Sequence, residues 1–146
     1  MRRTVRYSVF VSVGVLVALL LTGGVADASA DPTITAVTIE TVNYLSPSRR
    51  QAVVTGTIAC SGGENTLKIY SQVYQLQGLE LAIGTGRFSG SITCSGDTVP
   101  WRVTVDPADG YTFKVGLATV LLSTHVCHTP SSCDTEQRGS RVNLRR

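Results

Sequence analysis

The chain has 146 residues, enough for one domain, with 42% hydrophobic side chains and a formal net charge of +3. Three of its 13 basic residues (Arg2, Arg3, Arg6) and one of its 10 acidic ones (Asp27) fall in the first 30 positions, so the other 116 residues carry a net charge of only +1. That balance excludes a nucleic-acid binder, which works through a strong positive field, and the length excludes a multidomain enzyme.

The first element is a secretory signal peptide over residues 1–30. Its arginines precede an apolar run from about Val9 to Leu21, and Ala28-Ser29-Ala30 supplies the small residues of a cleavage site. The run, roughly 13 residues, is shorter than the ~20 a spanning helix needs, and no later segment approaches that length. Cleavage releases residues 31–146 as a single domain without a membrane span. No cysteine follows the run to carry a lipid, and the Arg2-Arg3 pair lacks the flanking residues of a twin-arginine signal. The expected location is secreted, outside the cell.

From Asp31 onward the sequence is β-like, rich in Val, Ile, Thr and Tyr and punctuated every ten residues or so by Gly, Pro, Ser, Asn or Asp. The first predicted strand is Thr33–Val42, ended by a turn-rich piece from Asn43 to Arg50. The second is Gln51–Cys60, with Val54, Gly56, Ile58 and Cys60 on one face, followed by a turn at Ser61–Asn65. The third, Thr66–Leu76, turns Leu67, Ile69 and Val73 one way and Lys68, Tyr70, Gln72 and Tyr74 the other. Leu79, Leu81 and Ile83 form a short alternating piece closed by Gly84-Thr85-Gly86. Arg87–Cys94 is expected to point Phe88, Gly90, Ile92 and Cys94 inward. After a turn at Ser95-Gly96-Asp97, Val99–Val105 points Val99, Trp101, Val103 and Val105 inward. Asp106-Pro107-Ala108-Asp109-Gly110 is a strong turn. Leu117–Val126 buries Ala118, Val120, Leu122 and Val126, and Ser140–Leu144 buries Val142 and Leu144. Seven to eight short strands without crossover helices predict an antiparallel β-sandwich.

Four cysteines in a small exported chain read as two disulfides. Cys60 and Cys94 share inward parity and can meet in the core. Cys127 has the opposite parity to Val120, Leu122 and Val126, which turns it outward toward Cys133 across Pro130-Ser131-Ser132. The expected pairs are therefore Cys60–Cys94 and Cys127–Cys133. Trp101 is the expected structural centre of the core, close to the first bridge and filling space left by Gly56 and Gly90.

Gly56-Thr57-Ile58-Ala59-Cys60-Ser61-Gly62, Cys94-Ser95-Gly96 followed by Trp101, Gly116-Leu117-Ala118-Thr119-Val120, and the closing Cys127–Cys133 loop resemble a group of small secreted actinobacterial immunoglobulin-like β-sandwich proteins without a characterised activity. A looser similarity is to antibiotic-carrying apoproteins of the neocarzinostatin type. Those close two short disulfide loops, whereas Cys60 and Cys94 lie 34 positions apart.

Each catalytic pattern has a simpler structural explanation. His125, Cys127, His128 and Cys133 have the ligand types of a zinc site, but an oxidising compartment favours a disulfide, so no metal is expected. Ser89, in Phe88-Ser89-Gly90-Ser91, lacks the spacing of a nucleophile elbow. Asp106 and Asp109 occupy positions that a turn selects by itself, and Gly84-Thr85-Gly86 has no helix after it to present to a phosphate. What survives is Tyr70, Gln72 and Tyr74, aromatic and amide groups alternating on one strand face, suited to stacking on a sugar ring or anchoring a protein. The expectation is a non-enzymatic exported binding module needing no cofactor, its partner a cell-wall glycan or an extracellular protein. The alternative is a carrier of a small apolar ligand in a cleft between the sheets.

Overall fold

The computed structural model describes residues 30–47 and 51–146, so the signal peptide expected over residues 1–30 lies, apart from Ala30, outside the described residues. It is all-β, with strands β1 (Thr33–Ile39), β2 (Val42–Leu45), β3 (Ala52–Gln77), β4 (Glu80–Pro107), β5 (Gly116–Thr129) and β6 (Ser132–Arg145). Both disulfides join the expected partners, Cys60 to Cys94 and Cys127 to Cys133. Two disulfides in so small a chain mark an oxidising, extracytoplasmic compartment. Among the described residues no helix is long and apolar enough to cross a membrane.

Among the described residues there are six strands where seven or eight were expected, because several turn-like stretches do not reverse the chain. β3 and β4 form one long hairpin, turned at Gly78-Leu79 with Gly78 at φ +70°. Pairing runs from Ala52↔Val105 to Ala59↔Thr98, slips at Ser61 and Gly63, and resumes from Gly63↔Cys94 to Gln77↔Glu80. Ser61–Asn65 and Ser95–Asp97 are thus opposed bulges, with Gly62, Gly63 and Gly96 at positive φ. Extra residues bend and twist a strand without ending its ladder. Gly84-Thr85-Gly86, expected to close a strand, lies within β4: its glycines pair with Val73 and Ser71 and leave room for the Asp106 and Thr104 carbonyls and the Phe113 ring, which a Cβ would meet.

Each half of the hairpin has a different flank. The first half of β3 also pairs with β1 (Ile39↔Gly56 to Thr33↔Ser61) and with β2 (Tyr44↔Val53). Its second half pairs with β5 from Thr66↔Cys127 to Tyr74↔Thr119. β5 pairs antiparallel with β6, and β6 runs parallel to β2 at Val42↔Asn143. The pairings therefore form a circuit, β3–β2–β6–β5–β3, with one parallel step in an otherwise antiparallel arrangement. That step corrects the all-antiparallel expectation. Its start is tied by the Asn143 N–H, which donates to the Thr41 carbonyl at 2.8 Å, while Asn43, expected in a turn but fully buried in β2, ties β2 to β3. Asn43 Nδ2 donates to the Glu40 carbonyl at 2.7 Å, and its Oδ1 accepts the Thr55 N–H at 2.8 Å.

The core follows the inward parity: Val54, Ile58, Cys60, Ile69, Val73, Ile92, Cys94, Trp101, Val103, Val105, Val120, Leu122, Val126, Val142 and Leu144 are buried in one cluster. Each such aliphatic side chain contributes about 1.5–3 kcal/mol by leaving water. Trp101 sits over Gly56, its register partner, where a Cβ would lie 2.4 Å from its Cζ2. Gly90 does not serve Trp101. The Phe88 ring folds over Gly90 instead, and Phe88 is 38% exposed rather than inward, in the first half of β4, which pairs as a strand only with β3. Phe113, in the loop before β5, is fully buried.

Candidate functional site

The outward positions of four adjacent strands, the first half of β4, the second half of β3, β5 and β6, form one continuous face. Register sets its rows. Ser89–Lys68–His125–Thr135 comes first, then Arg87–Tyr70–Ser123–Gln137, Thr85–Gln72–Leu121–Gly139, and Ile83–Tyr74–Thr119–Arg141. Toward the hairpin turn, Leu76 pairs with Leu81 and shares a shallow recess with Leu117. These side chains are outward because their neighbours in sequence, Ile69, Val73, Val120 and Leu122, take the core.

Tyr70, Gln72 and Tyr74 share this face as strand parity requires. Tyr70 is 43% exposed, and Tyr74 leans over Gln72, its hydroxyl donating to Gln72 Oε1 at 3.0 Å. Beside Tyr70 and Gln72 lies an open depression of about 470 Å³, walled further by Leu121, Leu122, Ser123, Gln137, Gly139 and Arg138, the last paired with Glu136 at 2.9 Å. Gly139 makes the floor: a Cβ there would approach Leu121 Cδ2 to 3.2 Å. Leu121 is 45% exposed and supplies an apolar wall opposite the tyrosine. The site thus offers an aromatic face, an aliphatic face, two primary amides, a hydroxyl and the paired Arg138 guanidinium around one concavity. Tyr74 and Gln72 belong together, while Tyr70 works with β5 and β6 residues that sequence alone does not place beside it.

Tyr70 is held by His125, whose ring meets it edge-on at 5.5 Å and 88°. His125 Nε2 lies 3.1 Å from Ser123 Oγ and Nδ1 lies 3.0 Å from Thr135 Oγ1. The sequence signal for this was available, since Ser123 and His125 are two apart on one strand. A serine–histidine pair acts as a nucleophile when an anion steadies the imidazolium and free N–H groups receive the oxyanion. Here the third partner is a hydroxyl, and the backbone on both sides of Ser123 is engaged in the β3–β5 and β5–β6 ladders. What the arrangement does is fix the imidazole, and through it Tyr70.

The other sequence candidates fall elsewhere. Cys127 and Cys133 are bonded to each other, which removes two ligands from the imagined zinc set, and His128 is exposed beyond them. Ser89 is solvent-facing, opposite Lys68. Asp106 accepts a hydrogen bond from Gln51 Nε2, and the turn closes with Tyr111 N–H on the Ala108 carbonyl. Among the described residues no group of three metal-ligating side chains comes together.

No protein-family model matches the chain. No curated protein matches it either. Among solved structures it is similar to the sporulation control protein Spo0M from Bacillus subtilis, at 13% identity and a TM-score of 0.34, over 80% of this chain and 50% of that one. The chain spans about half the length of that protein, and a likeness of this degree carries no argument.

Proposed function

We propose that the chain is an exported, non-enzymatic binding module that recognises a glycan at the cell surface or in the medium through the depression beside Tyr70. The observation that carries this reading is the pairing of a half-exposed tyrosine and a half-exposed leucine across a glycine-floored concavity edged by Gln72 and Gln137. Sugar rings present apolar faces and hydroxyl edges, and stacking surfaces flanked by amides answer both. The reading includes removal of residues 1–30 on export. It also includes an immunoglobulin-like sandwich in which the two halves of the β3–β4 hairpin belong to opposite sheets, related to the small secreted actinobacterial proteins that the motifs resemble.

The test is titration of residues 31–146, which contain every described strand and both disulfides, with soluble cell-wall glycan fragments and with a panel of apolar metabolites. Saturable glycan binding that Tyr70→Ala weakens about tenfold, the loss of one central contact, is the expected result. Saturable apolar-ligand binding without glycan binding would replace this reading by that of a carrier. Intact-mass measurement of the exported protein checks that it begins at Asp31.

A further inference from the structure

The four-strand face has a single sign of charge. Its twenty outward positions are residues 81, 83, 85, 87 and 89 of β4, 68, 70, 72, 74 and 76 of β3, 117, 119, 121, 123 and 125 of β5, and 135, 137, 139, 141 and 143 of β6. They include Lys68, Arg87 and Arg141 and not one carboxylate, although residues 31–146 contain nine. Nor do those three cations have partners: among the described residues the only ion pair joins Arg138 to Glu136. The nearest carboxylate along β3, Glu64, lies beyond the face next to the bulge and is bonded by Thr93 Oγ1 at 2.6 Å.

These three cations stand around the depression without lining it; the cation in its wall, Arg138, is already paired with Glu136 at 2.9 Å. Arg87 is the register neighbour of Tyr70 on one side, and Lys68 is the neighbour of His125 one row away. Arg141 stands on β6 opposite Thr119, two rows toward the hairpin turn. With strands about 4.8 Å apart and ~3.4 Å of rise per residue, Arg87 and Arg141 are separated by about 20 Å along a diagonal that crosses the depression. From this geometry we infer that the glycan of the proposed site is an anionic polymer, carrying carboxylate or phosphate groups at intervals, that lies along this diagonal. The inference rests on the Tyr70 reading and adds to it the class of sugar. Stacking on Tyr70 and Leu121 holds one ring, and Arg87, Lys68 and Arg141 meet acidic groups on either side of it. A guanidinium can take a carboxylate or a phosphate by two parallel hydrogen bonds. A second copy of this chain does not fit the face, since two-fold pairing would bring cation against cation with no carboxylate between them.

Residues 31–146 are titrated by calorimetry with a polyuronate, a poly(glycerol phosphate), and a neutral polysaccharide of similar length, at low and at high salt. A flotation assay uses vesicles of phosphatidylcholine with one quarter phosphatidylglycerol. The expected result is binding of one or both acidic polymers at least tenfold tighter than the neutral one, weakening with salt as exposed ion pairs are screened. Arg87→Gln combined with Arg141→Gln should reduce that binding about tenfold while leaving the far-UV spectrum unchanged, both side chains being exposed. The uronate and phosphate arms decide which acidic group is preferred. Equal, salt-insensitive binding of the neutral polymer would overturn the inference but leave the glycan reading standing. Absence of binding to every polysaccharide overturns both. Binding to the acidic vesicles alone would reassign the face to a lipid surface.

Discussion

Gly56 and Trp101 form a matched pair, and a double-mutant cycle tests the match. An alanine methyl at position 56 would lie 2.0 Å from the Thr38 carbonyl oxygen and 2.4 and 2.7 Å from Trp101 Cζ2 and Cε2. The first clash is with backbone that pairs β1 to β3, and the second with the benzo ring of a buried indole. Neither can swing aside, so Gly56→Ala should cost about 3 kcal/mol, the upper part of the overpacking range. Trp101→Phe removes part of the ring that meets residue 56. It also removes Nε1, a buried donor without a partner in the structure, so its cost should fall below the ~3–5 kcal/mol of a full truncation to alanine. In the Trp101→Phe background the ring clash is gone and only the Thr38 contact remains. Gly56→Ala should then cost at least about 1 kcal/mol less than in the parent, a coupling typical of touching residues. Equilibrium urea unfolding followed by far-UV circular dichroism measures all four corners without relying on tryptophan emission. If Gly56→Ala costs the same in both backgrounds, to within about 0.5 kcal/mol, the steric pairing is refuted.

The disulfides should open in order. Cys127–Cys133 is partly exposed and closes a six-residue separation, whereas Cys60–Cys94 is buried. Mild reduction with alkylation and peptide mapping should label Cys127 and Cys133 first, leaving most secondary structure in place. The loop-entropy contributions are about 2.4 kcal/mol for that bridge and about 3.8 for Cys60–Cys94. Early labelling of Cys94 would contradict the burial. Asn43→Ala should cost about 2–3 kcal/mol in thermal or urea unfolding, because the Thr55 N–H and the Glu40 carbonyl lose their partner in a buried place. A loss under 0.5 kcal/mol would mean that water replaces the side chain at little cost. Gln75, buried, holds the backbone of Lys114 by both amide atoms at 2.7 and 2.8 Å. Gln75→Ala should therefore speed hydrogen exchange at the Lys114 amide without altering exchange in β5 and β6. Unchanged exchange at Lys114 would show the loop to be fixed by Phe113 alone.

Period-two alternation made most of the inward face legible. Val54, Ile58, Leu67, Ile69, Trp101, Val103, Val120 and Leu122 are buried as their parity requires, and the same parity selected the cysteine pairs. Strand ends were less legible. Ser61-Gly62-Gly63 and Ser95-Gly96-Asp97 have the composition of hairpin turns, and only the partner strand decides whether such residues reverse the chain or bulge out of a continuing ladder. Since each segment lies opposite the other, they bend together. Asn43 misled for a similar reason, because asparagine is a turn former whose amide can equally replace a missing backbone partner inside a sheet. The Tyr70 strip was readable along β3. Its other wall was not: Leu121, Gln137 and Gly139 reach it only through the β5–β6 register, which leaves no local mark in sequence.

The parallel step between β2 and β6 has a consequence for the order in which the molecule can assemble. The β3–β4 hairpin needs only residues close in sequence and can zip from its Gly78 turn, whereas Val42 meets Asn143 about a hundred residues later. Contacts of such span are slow to form, since the entropy of closing the intervening chain is lost before any reward arrives. β6 itself can pair early with its sequence neighbour β5, so the late event is the β2–β6 step, the latch that turns an open ribbon into a ring. A chain still missing that step would keep β2 unsealed and Asn143 absent from the Thr41 carbonyl that its N–H binds at 2.8 Å. Closure of the ring is thereby tied to the docking of β6 against β2.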